Sequence, residues 1–180
     1  MSITPIQSRG FTLIEVLVSM AIFALIMVIT ADVFGRTVRV YGYTHASQRA
    51  AEDLHFAMSR IGKSLRTGSV AAVSSSAIVV YDYSRGQCVR YAFASNAITE
   101  QTVTMSDMSG CGANRFSGVS ATPLTESPIT SGAFTATTSR YDPPRVGRVT
   151  MTVTATPSRG AAVHMQTSVS LRDYDVSGLM

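Results

Sequence analysis

Charge is scarce in this chain of 180 residues: Asp, Glu, Lys and Arg together make up 14%, against about 25% in ordinary soluble domains. Tryptophan is absent and lysine occurs once, at Lys63, so arginine carries nearly all of the basic excess behind the net charge of +4. Spread along the chain, that excess is no nucleic-acid signal by itself. Two cysteines exclude a dense disulfide scaffold and any zinc site of four thiolates. Long charged, Gln-rich or Pro-rich tracts are missing, which argues against wholesale disorder. The histidines, His45, His55 and His164, lie too far apart for H-x-x-x-H metal ligation. Gly118-Val119-Ser120-Ala121-Thr122 departs from the G-x-S-x-G elbow at its last position. A Cys88–His164 pair is a combination almost any sequence permits. Asp107 and Asp142 lack the spaced oxygen donors of a calcium loop and read as solvated loop acids. No enzymatic activity, metal or cofactor is expected.

What the chain does have is unevenly placed. Apolar residues make up 46% of the whole, yet Phe11 to Ala31 reads FTLIEVLVSMAIFALIMVITA with Glu15 as its only charge. At about 1.5 Å per residue, such a helix spans the roughly 30 Å hydrocarbon core of a bilayer. Three readings compete. A cleaved secretory signal needs a basic n-region and an A-x-A-like site, and Ile29-Thr30-Ala31 is a poor one. A plain anchor fits the length but leaves Glu15 unexplained, since a mid-bilayer carboxylate costs about 2.5–3.5 kcal/mol.

The third reading comes from the flanking residues. Arg9-Gly10-Phe11-Thr12-Leu13-Ile14-Glu15 resembles the leader motif of type IV pilins and type II secretion pseudopilins. The resemblance implies cleavage by a prepilin peptidase between Gly10 and Phe11 and methylation of the new amino terminus at Phe11. It also implies that Glu15 pairs with the amino terminus of a neighbouring subunit during filament assembly. Gly10 suits a protease cleft because it carries no side chain, and an acid in the first helical turn is favoured by the helix dipole. The implied place is the inner membrane, single-pass with the head outside, then an extracytoplasmic filament. The arginines run the other way: Arg9 alone precedes the span, whereas Arg36, Arg39 and Arg49 follow it, contrary to the positive-inside rule.

Beyond the span, Leu54, Met58, Ile61 and Leu65 recur at helical spacing, predicting a helix continuous from Phe11 to about Arg66. Its fifty-six residues would extend about 84 Å. Glycines at 35, 42 and 62 each cost about 1 kcal/mol against alanine, so a kink or local melting is expected near Gly35 or Gly42. Glu52, Asp53, Arg49 and Arg60 read as ordinary surface charge. Thr67-Gly68-Ser69 is the stop signal. Residues 77–81, 88–93 and 97–103 read as strands, the first two joined at Ser84-Arg85-Gly86. Residues 106–147 read as mostly loop with one strand near 133–138. Residues 148–154 and 163–171 alternate and form a hairpin turning at Pro157-Ser158-Arg159-Gly160, with one apolar face for the stem helix.

The expected fold is therefore α+β, a long N-terminal helix packed on a small antiparallel β-sheet head. The expected division is a leader at 1–10, a transmembrane or filament-core helix at 11–31, a stem at 32–66 and a head at 67–180. Residues 49–67 and the C-terminal stretches 144–146 and 166–172 are similar to J-type minor pseudopilins and PilW-like minor pilins. That implies a minor structural subunit, priming or near the tip, with other pilins or pseudopilins and the inner-membrane assembly platform as partners. A head outside the membrane allows a disulfide between Cys88 and Cys111; two buried free thiols are the alternative. Arg140, Arg145, Arg148 and Arg159, with Tyr141 for stacking, raise a second reading, a receptor binding DNA or a surface through an anionic-ligand patch. Scattered solvating arginines are the stronger account, so a nucleic-acid partner is not the first expectation.

Overall fold

The computed structural model describes residues 10, 12–137, 140–141 and 144–171. One helix, α1 (Leu13–Thr67), precedes all the strands. These are β1 (Ser69–Val73), β2 (Ala77–Asp82), β3 (Gln87–Ala94), β4 (Ala97–Thr104), β5 (Thr122–Pro123), β6 (Ile129–Thr137), β7 (Arg140–Tyr141), β8 (Pro144–Arg145), β9 (Arg148–Ala155) and β10 (Val163–Ser170). Every strand pairing is antiparallel, giving the expected α+β class. The chain divides into two compact units, Met1–Gly42 and Tyr43–Met180.

The first unit holds the apolar part of α1. The helix starts at Leu13 rather than Phe11, and Phe11 lies outside the described residues. No melting occurs at Gly35 or Gly42, where α1 runs on unbroken. Propagating an existing helix adds a hydrogen bond for each residue fixed, which offsets the glycine penalty. A side chain helps locally: Arg39 Nε donates to the Gly35 carbonyl at 3.2 Å.

In the second unit the core stripe is the predicted one and slightly wider. Ala50, Leu54, Ala57, Met58, Ile61 and Leu65 are buried, against Val70, Ile78, Val80, Val89, Tyr91 and Ile98 from one sheet and Phe134, Val149, Met151, Val153 and Ala155 from another. The first sheet has the order β1-β2-β3-β4-β5 and the second β10-β9-β6. The first sheet is buried on its other face as well. There Val79, Tyr81 and Cys88 meet Cys111, which directly follows a short 3-10 turn at Met108–Gly110, and Phe116, which ends a second at Ala113–Phe116. This explains why β2 reads as a continuous apolar run, buried from Ala77 to Tyr81.

Gly68 and Gly132 are among the glycines required by close approach. A Cβ at Gly68 would collide with the Tyr81 carbonyl oxygen and the Val80 side chain, so the chain can leave α1 for β1 only through glycine there. A Cβ at Gly132 would enter the Phe93 ring, which stacks on Phe134 at 4.7 Å between centroids.

The structure corrects the reading of residues 106–147. The expected strand near 133–138 is β6, which starts at Ile129 and pairs with β9 along its length. Only Ile129 and Phe134 of β6 are buried, so its composition resembles a loop although its backbone completes a sheet. Two residues read as surface charge also serve the fold. Asp53 Oδ2 accepts the backbone N–H groups of Glu126 and Ser127, each at 2.8 Å. Arg60 clasps Glu100 through Nε to Oε2 at 2.8 Å and Nη2 to Oε1 at 3.0 Å. The hydrogen bond to Glu100 raises the Arg60 pKa above its ordinary value. Burial raises that of the Tyr91 phenol.

Candidate functional site

The N-terminal segment concentrates the candidate chemistry. Gly10 is exposed and non-helical, and a Cβ built on it meets nothing within 4 Å. No contact within the described chain requires glycine at that position. Helix α1 opens two residues past the Gly10–Phe11 bond with Thr12 as its cap. The Glu15 N–H lies 3.4 Å from Thr12 Oγ1 and 3.1 Å from the Thr12 carbonyl, and the Val16 N–H donates to the same carbonyl at 3.3 Å. A threonine cap with glutamate three residues on is the capping-box spacing. That signal, T-x-x-E, was present in the sequence and identifies Thr12 as a residue that motif reading alone passed over.

Glu15 sits in the first turn of α1, exposed. A carboxylate there faces the unsatisfied N–H groups of the helix start and is favoured by the dipole. Beyond it no charge occurs until Asp32, which pairs with Arg36 at 2.9 Å. The large apolar side chains from Leu13 to Ile29 are 49–82% exposed, so nothing within the described chain covers them. Their helix is long and apolar enough to cross a membrane. Its hydroxyls are suited to an apolar surrounding: Ser19 Oγ donates to the Glu15 carbonyl at 2.7 Å and Thr30 Oγ1 to the Ile26 carbonyl at 2.8 Å, which satisfies each within the helix.

Cys88 and Cys111 form a disulfide with Cα atoms 5.6 Å apart. Both are almost fully buried, and the bridge ties β3 to the 3-10 turns. Asp107 caps the first of these turns. Its carboxylate accepts from the Ser109 hydroxyl and, at 3.1 Å, from the Gly110 N–H, so it is more than a solvated loop acid. The Ser109 hydrogen bond chiefly, and the Gly110 N–H next, hold its pKa below the ordinary range. Arg90 lies over the Phe116 ring, 5.9 Å from its centroid.

The arginines of the supposed patch are divided. Arg140 and Arg145 are directly paired across β7 and β8 as backbone positions. Arg148 opens β9 opposite Ser170 and Thr137. Arg159 lies in the turn after β9, beyond a strand that spans roughly 24 Å, so it is at the opposite end of the hairpin from Arg148. Asp142 and Arg9 lie outside the described residues. Among the described residues, no group of three or more His, Cys, Asp or Glu side chains is arranged to hold a metal ion.

A family model described as the prokaryotic N-terminal methylation motif matches residues 7–31, the segment that holds Gly10, Phe11 and Glu15. That match supports a type IV pilin-like prepilin, and with the uncovered apolar helix it fits membrane anchoring. No curated protein matches the chain significantly. No solved structure does either.

Proposed function

We propose that the chain is the precursor of a minor pilin or pseudopilin, a structural subunit of a type IV pilus or type II secretion pseudopilus. The methylation motif over residues 7–31 is the observation that carries this reading. In it, residues 1–10 are a leader, 11–31 the membrane or filament-core helix, 32–66 the stem and 67–180 the head. A prepilin peptidase hydrolyses the Gly10–Phe11 bond and the freed amine of Phe11 is methylated. Supporting this, Gly10 is exposed and α1 is capped at Thr12, past that bond. The cut therefore needs no helical hydrogen bond to open.

Before assembly the subunit rests in the inner membrane, single-pass with its head outside. Extraction into the filament brings apolar segments of neighbouring subunits together. Glu15 then pairs with the amine of a neighbouring Phe11, which offsets the cost of holding a carboxylate among apolar side chains. Its partners are the peptidase, other pilins or pseudopilins and the assembly platform. A priming or near-tip position follows from the similarity of residues 49–67 to minor subunits.

Mass spectrometry of the mature protein tests the reading. The expected amino terminus is methylated Phe11. A start at Asp32, or an intact leader in assembled material, overturns it. Glu15→Leu should be cleaved and membrane-inserted yet missing from sheared filaments; incorporation at the normal level would refute the role given to Glu15.

A further inference from the structure

We infer that the groove between α1 and the outer edge of β10 docks an extended, acidic segment of another protein, taken up as an added β-strand. In the order β10-β9-β6, β10 is an outer strand, so one of its backbone edges has no strand partner among the described residues. Natural edge strands are usually protected by shortness, lysine, proline or a bulge. β10 has none of these: its eight residues, VHMQTSVS, pair with β9 in unbroken register from Val163↔Ala155 to Ser170↔Arg148.

Beside that edge, one face of α1 walls a groove of about 500 Å³. Met58, Gly62 and Val169 are its buried floor, and His55, Lys63 and Arg66 stand exposed on its rim. Gly62 keeps the floor low, because a Cβ there would already touch Val169 Cγ2 at 3.5 Å. No Asp or Glu lines the groove. Neither Lys63 nor Arg66 has an ion-pair partner among the described residues, whereas Arg60 on the same helix is held by Glu100.

These features select the occupant. An added strand hydrogen-bonds the open edge of β10 through its main chain, and its alternate side chains enter the groove. Those side chains recur about every 6.8 Å. Lys63 and Arg66 are about 4.5 Å apart along the helix axis, within reach of adjacent inward positions for such long side chains. Carboxylates at those positions complete a rim that carries cations and no carboxylate of its own. The charged groups are exposed and the floor is apolar, which suits a peptide better than a small anion.

A displayed library of random peptides about twelve residues long, panned against the full chain in detergent micelles, tests the proposal. Enriched peptides should carry Asp or Glu at alternate positions. A synthetic copy of one should slow amide exchange in β10, bind less well as salt rises, and lose about tenfold or more in affinity to K63E/R66E, with K63Q/R66Q intermediate. Circular dichroism checks that these surface variants remain folded. Absence of enrichment, enrichment of non-acidic peptides, or affinity indifferent to K63E/R66E overturns the proposal. So does binding that appears only when the chain is shortened after Leu171, which would assign the groove to residues 172–180.

Discussion

Replacing Cys88 and Cys111 together by alanine opens the covalent ring formed by residues 88–111. In the chain-entropy account, releasing a ring of about 24 residues stabilises the unfolded state by about 3.4 kcal/mol at 25 °C. For the unit Tyr43–Met180, an unfolding entropy of about 2.1 cal/mol/K per residue converts this into a fall in Tm of roughly 12 °C. Alanine is chosen because serine would bury two hydroxyls at sites that are 0% and 3% exposed. The location of the damage is as informative as its size. The β3–β4 ladder holds Cys88 opposite Val103 without help from the bridge, so the ladder should stay protected while residues 105–119 open. Urea unfolding in micelles, followed by tyrosine fluorescence, gives the energy, and hydrogen exchange gives the place. A loss below about 1 kcal/mol at unchanged m, or exchange that quickens in β9 as much as in residues 105–119, would refute the reasoning.

Three further outcomes follow from contacts that reach across the fold. Asp53→Ala leaves the Glu126 and Ser127 N–H groups without their shared acceptor and should cost about 2–3 kcal/mol, with faster amide exchange at 126–127; an unchanged urea midpoint would contradict this. A double-mutant cycle on Arg60 and Glu100, read by urea unfolding, should give a coupling of about 0.5–1 kcal/mol, modest because Arg60 is about half exposed. Hydrogen bonding from the Ser84 hydroxyl, chiefly, lowers the Asp82 pKa. The folded value lies below the unfolded value, so the stability it contributes is full above about pH 4 and fades as pH falls through the folded pKa. Asp82→Asn should flatten that part of an acid titration of the urea midpoint.

How much of this was legible depended on whether the deciding partner was near in sequence. The span and the Gly10–Glu15 motif read directly, because a bilayer and a peptidase both act on contiguous residues. The stripe Leu54, Met58, Ile61 and Leu65 and the alternation of β9 announced their buried faces. β6 did not, because its burial rests on Ile129 and Phe134 and its glycine exists for the Phe93 ring. Asp53 and Arg60 looked like surface charge since their partners lie 73 and 40 residues away. Thr12 could have been found from T-x-x-E. The separation of Arg159 from Arg148 depended on the length of β9, which the residues did indicate.

Strand β2 is buried along both faces, with Ile78 and Val80 toward α1 and Val79 and Tyr81 toward the disulfide. A slip of one residue would exchange these two sets and leave nearly as much apolar surface covered. Hydrophobicity alone is thus almost blind to alignment in this sheet. Cys88 is not, because it must face the 3-10 turns for the bridge to Cys111 to form. Tyr81, directly across the ladder from Cys88, is carried to the same side. The oxidised chain therefore keeps a covalent record of which face β3 turns toward the 3-10 turns, so the bridge contributes fidelity of strand facing as well as stability.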